Sequence, residues 1–145
     1  MEARDYLHFA LAEEIYAIEA KDVDEIIQSP NMTLIPTAPE YIEGVFHHRG
    51  AILPSVDLKK VLSIAHESDL GKSRYLIIRP KDITIALKVD KVLGVFAVKK
   101  SDLETPVPTP SVEAGFVRAQ SRLNEKVVLI LDGNNLIEGT KLKKG

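Results

Sequence analysis

His47 and His48 stand side by side, and a metal site is the first chemistry such a pair suggests. In an extended segment adjacent side chains point to opposite faces, so the two rings cannot chelate one ion. A second ligand would have to come from His8 or His66, and no acidic residue sits at a diagnostic spacing from either. The chain has no cysteine, which excludes disulfides, thiolate metal sites and thiol nucleophiles. Ser29, Ser55, Ser63 and Ser111 lie in no nucleophile-elbow context, and no glycine-rich phosphate loop occurs. Asp57, Asp90 and Asp132 each follow an apolar run, where a carboxylate ordinarily caps a turn or helix by accepting free backbone N–H groups. These residues point to no enzyme, no cofactor and no metal.

Arg49 is less easily assigned. It lies between His48 and Gly50, just ahead of Ala51-Ile52-Leu53-Pro54. Three roles stay open: an ion-pair partner for Asp57, a plain surface charge, or a forked donor toward another protein's carboxylate or carbonyl groups.

The elements that would position these residues are mostly strands. Hydrophobic residues make up 45% of the 145, enough for a core without staples. The apolar segments are short, β-branched and bounded by turn residues. Strands are expected over Tyr6–Leu11, Ile15–Ala20, Ala51–Val56, Tyr75–Arg79, Ile83–Val89, Val92–Val98 and Val127–Leu131, with Val23–Gln28 continuing extended or as a strand. Short helical turns are expected at Pro39–Glu43, at Asp57–Leu62 with Asp57 as cap, and at Asn134–Glu138.

A net charge of −2, 6% aromatic residues and no tryptophan argue against a nucleic-acid surface, which needs stacking rings on a basic groove. The basic tail of Lys141, Lys143 and Lys144 reads as solvated and frayed. The longest apolar stretch, Val92–Val98, is far short of the ~20 residues of a spanning helix. The N-terminus lacks a signal-peptide layout. A cytoplasmic protein without direct membrane insertion is the expectation.

A faint internal repeat organises the chain. Tyr6-Leu7, Ala17-Ile18 and Val23 recur 69 positions later as Tyr75-Leu76, Ala86-Leu87 and Val92. Pro39 and Gly44 recur 71 later as Pro110 and Gly115, and Val56-Asp57 recurs 75 later as Leu131-Asp132. Two barrel-like sheets of about five strands follow, one lobe near residues 15–68 and the other near 75–131, with terminal segments completing them. Each is too small to bury much alone, so the two should pack together. A groove between them would suit a partner's helix. Ile64–Ser73 reads as the connection.

With these features in place, the segment Gly44-Val45-Phe46-His47-His48-Arg49-Gly50-Ala51-Ile52-Leu53-Pro54-Ser55-Val56-Asp57-Leu58 resembles the signature of CheW-like chemotaxis coupling proteins. The pattern there is Gly-Val-x-Asn-Leu-Arg-Gly, three residues, then Pro and an apolar residue near Asp-Leu. Tyr16-Ala17-Ile18, Val23-Asp24-Glu25-Ile26, Ile35-Pro36 with Pro39, and Ala86 to Val95 match in the same order, covering roughly residues 6 to 138. The resemblance implies an all-β single domain of two five-stranded SH3-like barrel lobes around a shared core, with short helices and no catalysis. It implies an adaptor between the cytoplasmic tip of a chemoreceptor and the regulatory domain of a histidine kinase. The alternative is a ring- or array-forming relative, self-associating in a non-flagellar pathway.

Carried over by position, Val23, Glu25, Gly44, Arg49, Gly50 and Val95 fall where partner-contact or partner-sensitive residues of the family lie. The glycines also read as turn formers, Val23 and Val95 as core, and Glu25 as a rim charge. His47-His48 replaces the common Asn-Leu, which touches the identity of the receptor partner more than the fold. Met1 stands a few residues before the first strand, so a free-standing adaptor is expected over a segment of a larger kinase.

Overall fold

The computed structural model describes residues 2–64 and 72–140. Among these residues ten strands form two five-stranded mixed sheets. The first contains β1 (Ala3–Leu11), β2 (Glu14–Glu19), β8 (Lys91–Lys99), β9 (Val117–Leu123) and β10 (Lys126–Leu131), in the order β8-β1-β2-β10-β9. The second contains β3 (Val23–Ile27), β4 (Ile42–His48), β5 (Ala51–Asp57), β6 (Arg74–Ile78) and β7 (Ile85–Val89), in the order β3-β6-β7-β5-β4. Because the first draws on both chain ends and the second on the middle, we call them the terminal and central lobes.

Strands buried on both faces lose the simple polar alternation and become apolar runs. β1 shows this: Tyr6 faces the interior of the terminal lobe, whereas Leu7, Phe9 and Leu11 enter a cluster shared by both lobes. From the central lobe Val56, Leu76, Ile78, Ile85, Leu87 and Val89 join the same cluster. The central lobe's own interior is filled by Phe46, Leu53, Tyr75, Ile77 and Ala86. The described residues therefore hold three apolar clusters, and the largest belongs to neither lobe alone.

The repeat is carried through to individual residue pairs. The parallel pairing Ile130–Ala17 in one lobe is matched by Ser55–Ala86 in the other. A one-residue register shift lies between Val92/Gly94 and Phe9/His8, and its counterpart between Val23/Glu25 and Ile78/Ile77. A second shift between Val117/Ala119 and Leu131/Ile130 has its counterpart between Ile42/Gly44 and Val56/Ser55. Bulges of this kind bend a strand and re-aim one side chain. Asp57 and Asp132 cap the equivalent helices α1 (Leu58–Val61) and α3 (Gly133–Gly139), accepting from the backbone N–H of Lys59 and Asn135. A third short helix, α2 (Pro110–Glu113), precedes β9 and is capped by Thr109.

The sheets do not follow a cut of the chain into 15–68 and 75–131. β2 belongs with the chain ends, and β6 and β7 complete the sheet begun by β3, β4 and β5. Each half of the repeat gives two strands to one lobe and three to the other, so the halves interlock. The match of Pro39 and Gly44 to Pro110 and Gly115 also fails: the register equates Gly44 with Ala119 and Tyr41 with Phe116. Over Pro39–Glu43 only a turn forms, closed by Ile42 N–H to Pro39 O, and Ile42 and Glu43 already belong to β4. β4 and β9, the two strands absent from the expected set, are equivalent edges of their sheets. Most of the expected connection, with His66, lies outside the described residues, as do Lys141, Lys143 and Lys144.

Candidate functional site

The central lobe's hairpin between β4 and β5 turns on two residues, Arg49 and Gly50, flanked by the pair His48–Ala51. Both adopt positive φ, 49° and 80°, the geometry that matches the twist of a two-residue hairpin. A Cβ on Gly50 would meet nothing within 4 Å, so the need for glycine there is conformational. Arg49 has no such freedom, and its left-handed backbone costs about 1–2 kcal/mol. The side chain supplies a compensation.

Glu25, on the opposite edge strand β3, receives the Arg49 guanidinium through two bonds: Nε to Oε2 at 3.1 Å and Nη2 to Oε1 at 3.0 Å. His48 Nε2 donates to the same Oε2 at 2.7 Å. Arg49, and after it His48, hold the Glu25 carboxyl down to about 2, and the carboxylate raises Arg49 in return. Since β3 and β4 are the two ends of one sheet, these bonds clasp the sheet into a barrel-like curl. The Arg49 side chain nevertheless keeps 75% of its surface open, against 18% for His48. A fully engaged carboxylate is no general base, and the chemistry available here is recognition through an exposed, pre-set guanidinium.

Asp57 is not the partner of Arg49. Its carboxylate is buried and turned to the N–H of Lys59 at the start of α1. Asp90 is likewise not a cap for its own turn. It accepts the N–H of Ala12 at 2.7 Å, in the β1–β2 turn, and an ion pair from the buried Lys59 at 2.8 Å.

Gly50 shares the turn with Arg49, and Gly44 lies earlier on β4. Gly44 is buried, and a Cβ on it would stand 2.5 Å from the Thr33 carbonyl oxygen. Its absence lets the chain before β4 bridge onto Val45 through two backbone bonds. Val23 starts β3 and packs against the shared cluster. Val95 lies on β8, the edge of the other sheet, 55% exposed and apart from the clasp. The structure thus gathers Glu25, Arg49 and Gly50 into one corner, with Gly44 shaping its strand.

Two residues at this corner were not anticipated. Ile26, next to Glu25, is 42% exposed, and Ile52, cross-strand from His47, is 62% exposed. In the terminal lobe their equivalents are Val95 and Val127, also exposed. Apolar residues on the outer face of an otherwise alternating strand were the available signal. Among the described residues no group of three or more His, Asp or Glu side chains converges to hold a metal, and no helix is long and apolar enough to cross a membrane.

Residues 5–141 match the family described as the CheW-like domain. The chain belongs to that family. The chemotaxis protein CheW of Thermotoga maritima is 28% identical over 97% of this chain and 92% of its own length. CheW of Treponema pallidum is 28% identical over 94% and 83%. The crystal structure of the scaffolding protein TtCheW from Thermoanaerobacter tengcongensis superposes with a TM-score of 0.83 at 31% identity, covering 90% of each chain. This CheW-like protein is a non-enzymatic adaptor of the chemotaxis type, and both the expected family and the two-sheet fold hold.

Proposed function

We propose that this adaptor couples the cytoplasmic tip of a chemoreceptor to the regulatory domain of a histidine kinase, recruited from the cytoplasm to receptor arrays at the membrane. The clasped hairpin carries the reading. Arg49 is held by Glu25, which His48 in turn anchors, so presenting it to a partner costs little further side-chain entropy. Exposed Ile26 and Ile52 supply the apolar contact that a partner's side chains would bury. Val95, on the other lobe, belongs to a second face. Simultaneous use of both faces would stabilise a ternary complex, and unequal binding to kinase-on and kinase-off geometries would couple receptor state to kinase output.

One observation favours a second reading, self-association into rings or arrays. The exposed pairs Ile26/Ile52 and Val95/Val127 occupy equivalent places on the two lobes, as head-to-tail contacts between copies would require. Co-sedimentation with receptor hairpins and kinase separates the two. Arg49→Ala and Val95→Asp should each weaken the apparent Kd read from co-sedimentation about tenfold, equivalent to ~1.4 kcal/mol. Both variants should keep a cooperative thermal transition. Undiminished assembly in both removes the site assignment, and concentration-dependent mass without partners supports the second reading.

A further inference from the structure

The two lobes carry one motif with its charges exchanged. In the central lobe Tyr75 and Lys88 are cross-strand neighbours on β6 and β7, and Glu43 is the extra residue of the β4 bulge. Three donors engage the Glu43 carboxylate: Ser55 Oγ at 3.1 Å, Tyr75 Oη at 3.2 Å and Lys88 Nζ at 3.1 Å. At the equivalent places the terminal lobe has Tyr6 and Glu19 as the cross-strand pair and Arg118 as the extra residue of the β9 bulge. The tyrosine is kept, and acid and base have changed places.

The exchanged version is more loosely engaged. Arg118 Nη2 donates to Tyr6 Oη at 3.3 Å and stands 3.8 Å from Glu19, whose other oxygen is taken by Arg4 at 2.9 Å. A guanidinium carries five N–H donors, so most of Arg118's capacity is unused among the described residues. Beside it the terminal lobe opens into a cavity of about 190 Å³, lined also by Arg4, Lys100 and Glu2. Its apolar walls are Tyr6, Val98 and Leu103, the last two packed against the lobe's interior cluster. Lys100 forms no ion pair among the described residues.

We propose that this mouth of the terminal lobe binds a small organic carboxylate with an apolar body, such as an aromatic or branched-chain acid. An apolar cavity of about 150 Å³ admits benzene, so the volume suits one ring or a branched chain. Arg118 and Lys100 supply donors for the carboxylate, which the fork of an arginine meets in bidentate fashion. A compact, strongly hydrated anion such as phosphate gains nothing from the apolar walls, and a neutral apolar molecule leaves the cations unsatisfied. In the central lobe the equivalent place holds an acid, Glu43, already engaged by Ser55, Tyr75 and Lys88.

Titration of the intact chain followed by backbone amide chemical shifts tests this, with benzoate as probe and benzyl alcohol and inorganic phosphate as separate arms. Benzoate is expected to give saturable shifts at Tyr6, Val98 and Leu103, at least tenfold tighter than either other arm. Lys100→Gln and Arg118→Gln should each weaken benzoate by about tenfold, and Glu2→Gln, which removes the opposing charge, should tighten it. Glu43→Gln in the other lobe should leave it unchanged. Should Arg118→Gln fail to fold, the exposed Lys100 and Glu2 variants decide the matter. No saturable shift with benzoate, phosphate binding as tightly, or affinity indifferent to Lys100 and Glu2 would each overturn the proposal.

Discussion

The two lobes share strand order, both register shifts and both aspartate caps, yet they differ at nearly every polar position that those features align. Where the central lobe has Glu25, the terminal lobe has Gly94, and the clasp to the hairpin vanishes. The equivalent hairpin turn, Asn124-Glu125, keeps the two positive φ angles but has no carboxylate of that kind to hold. The apolar register therefore determines the fold, and the polar residues grafted at equivalent sites make the lobes different tools. One presents a rigid arginine, and the other an open, cation-lined mouth. Recognition can diverge between the lobes because the core leaves these positions free.

Shared packing is the strongest point of the comparison and the first to attack. Leu76 is fully buried in the cluster common to both lobes. Leu76→Ala should cost about 2–5 kcal/mol through lost burial and the cavity left behind. Denaturant unfolding should still show one transition, read identically by probes in either lobe. Two separated transitions would make the lobes independent units and dissolve the argument from a common core.

The next effect separates the lobes at a single atom. Gly44 and Ala119 occupy the same place, yet only in the central lobe does a backbone carbonyl stand 2.5 Å from where the methyl would go. Gly44→Ala should destabilise by about 1–3 kcal/mol, as overpacking does. Ala119→Gly should cost only about 0.5–1 kcal/mol from backbone freedom. Equal costs in the two chemical-denaturation curves would show that the chain before β4 yields freely, and that Gly44 does not shape the hairpin strand.

How much of this could be read in advance follows from the same comparison. Eight strands are visible as apolar, β-branched runs, most of them because at least one face is buried. The two that escape, β4 and β9, are the equivalent edges, where Glu43-Gly44 and Arg118 through Arg122 dilute the pattern. The repeat is legible where the offset stays constant, and it slips at Pro39, where loop length differs between the halves. Glu25 and Arg49 are each legible through the family resemblance, but their bond is not. They are neighbours only because the sheet curls its ends together, whereas Asp57, nearer in sequence to Arg49, is taken by α1. Nor does the sequence reveal that the halves exchange strands, since a division by chain position is the simplest one.

The smallest effect concerns a residue that the lobes do not share. His8 faces the terminal lobe's interior where Ile77 faces that of the central lobe. Its ring is buried, meets Phe96 edge-on at 4.9 Å, and donates from Nδ1 to Tyr6 O at 3.0 Å. Burial lowers its pKa from the ordinary 6.5, outweighing the backbone bond that raises it. Below that ordinary value the unfolded chain takes up a proton which the folded chain refuses. Stability contributed by the neutral ring is therefore complete above about pH 6.5 and declines as pH falls toward the depressed folded value. His8→Ile gives the terminal lobe its counterpart's residue and should flatten the fall in melting temperature between pH 7.5 and 5.5. The remaining slope belongs to other groups, and Glu25, held near 2, enters only in more acid solution. A variant that keeps the full slope across that interval would place the pH sensitivity outside the terminal lobe's interior.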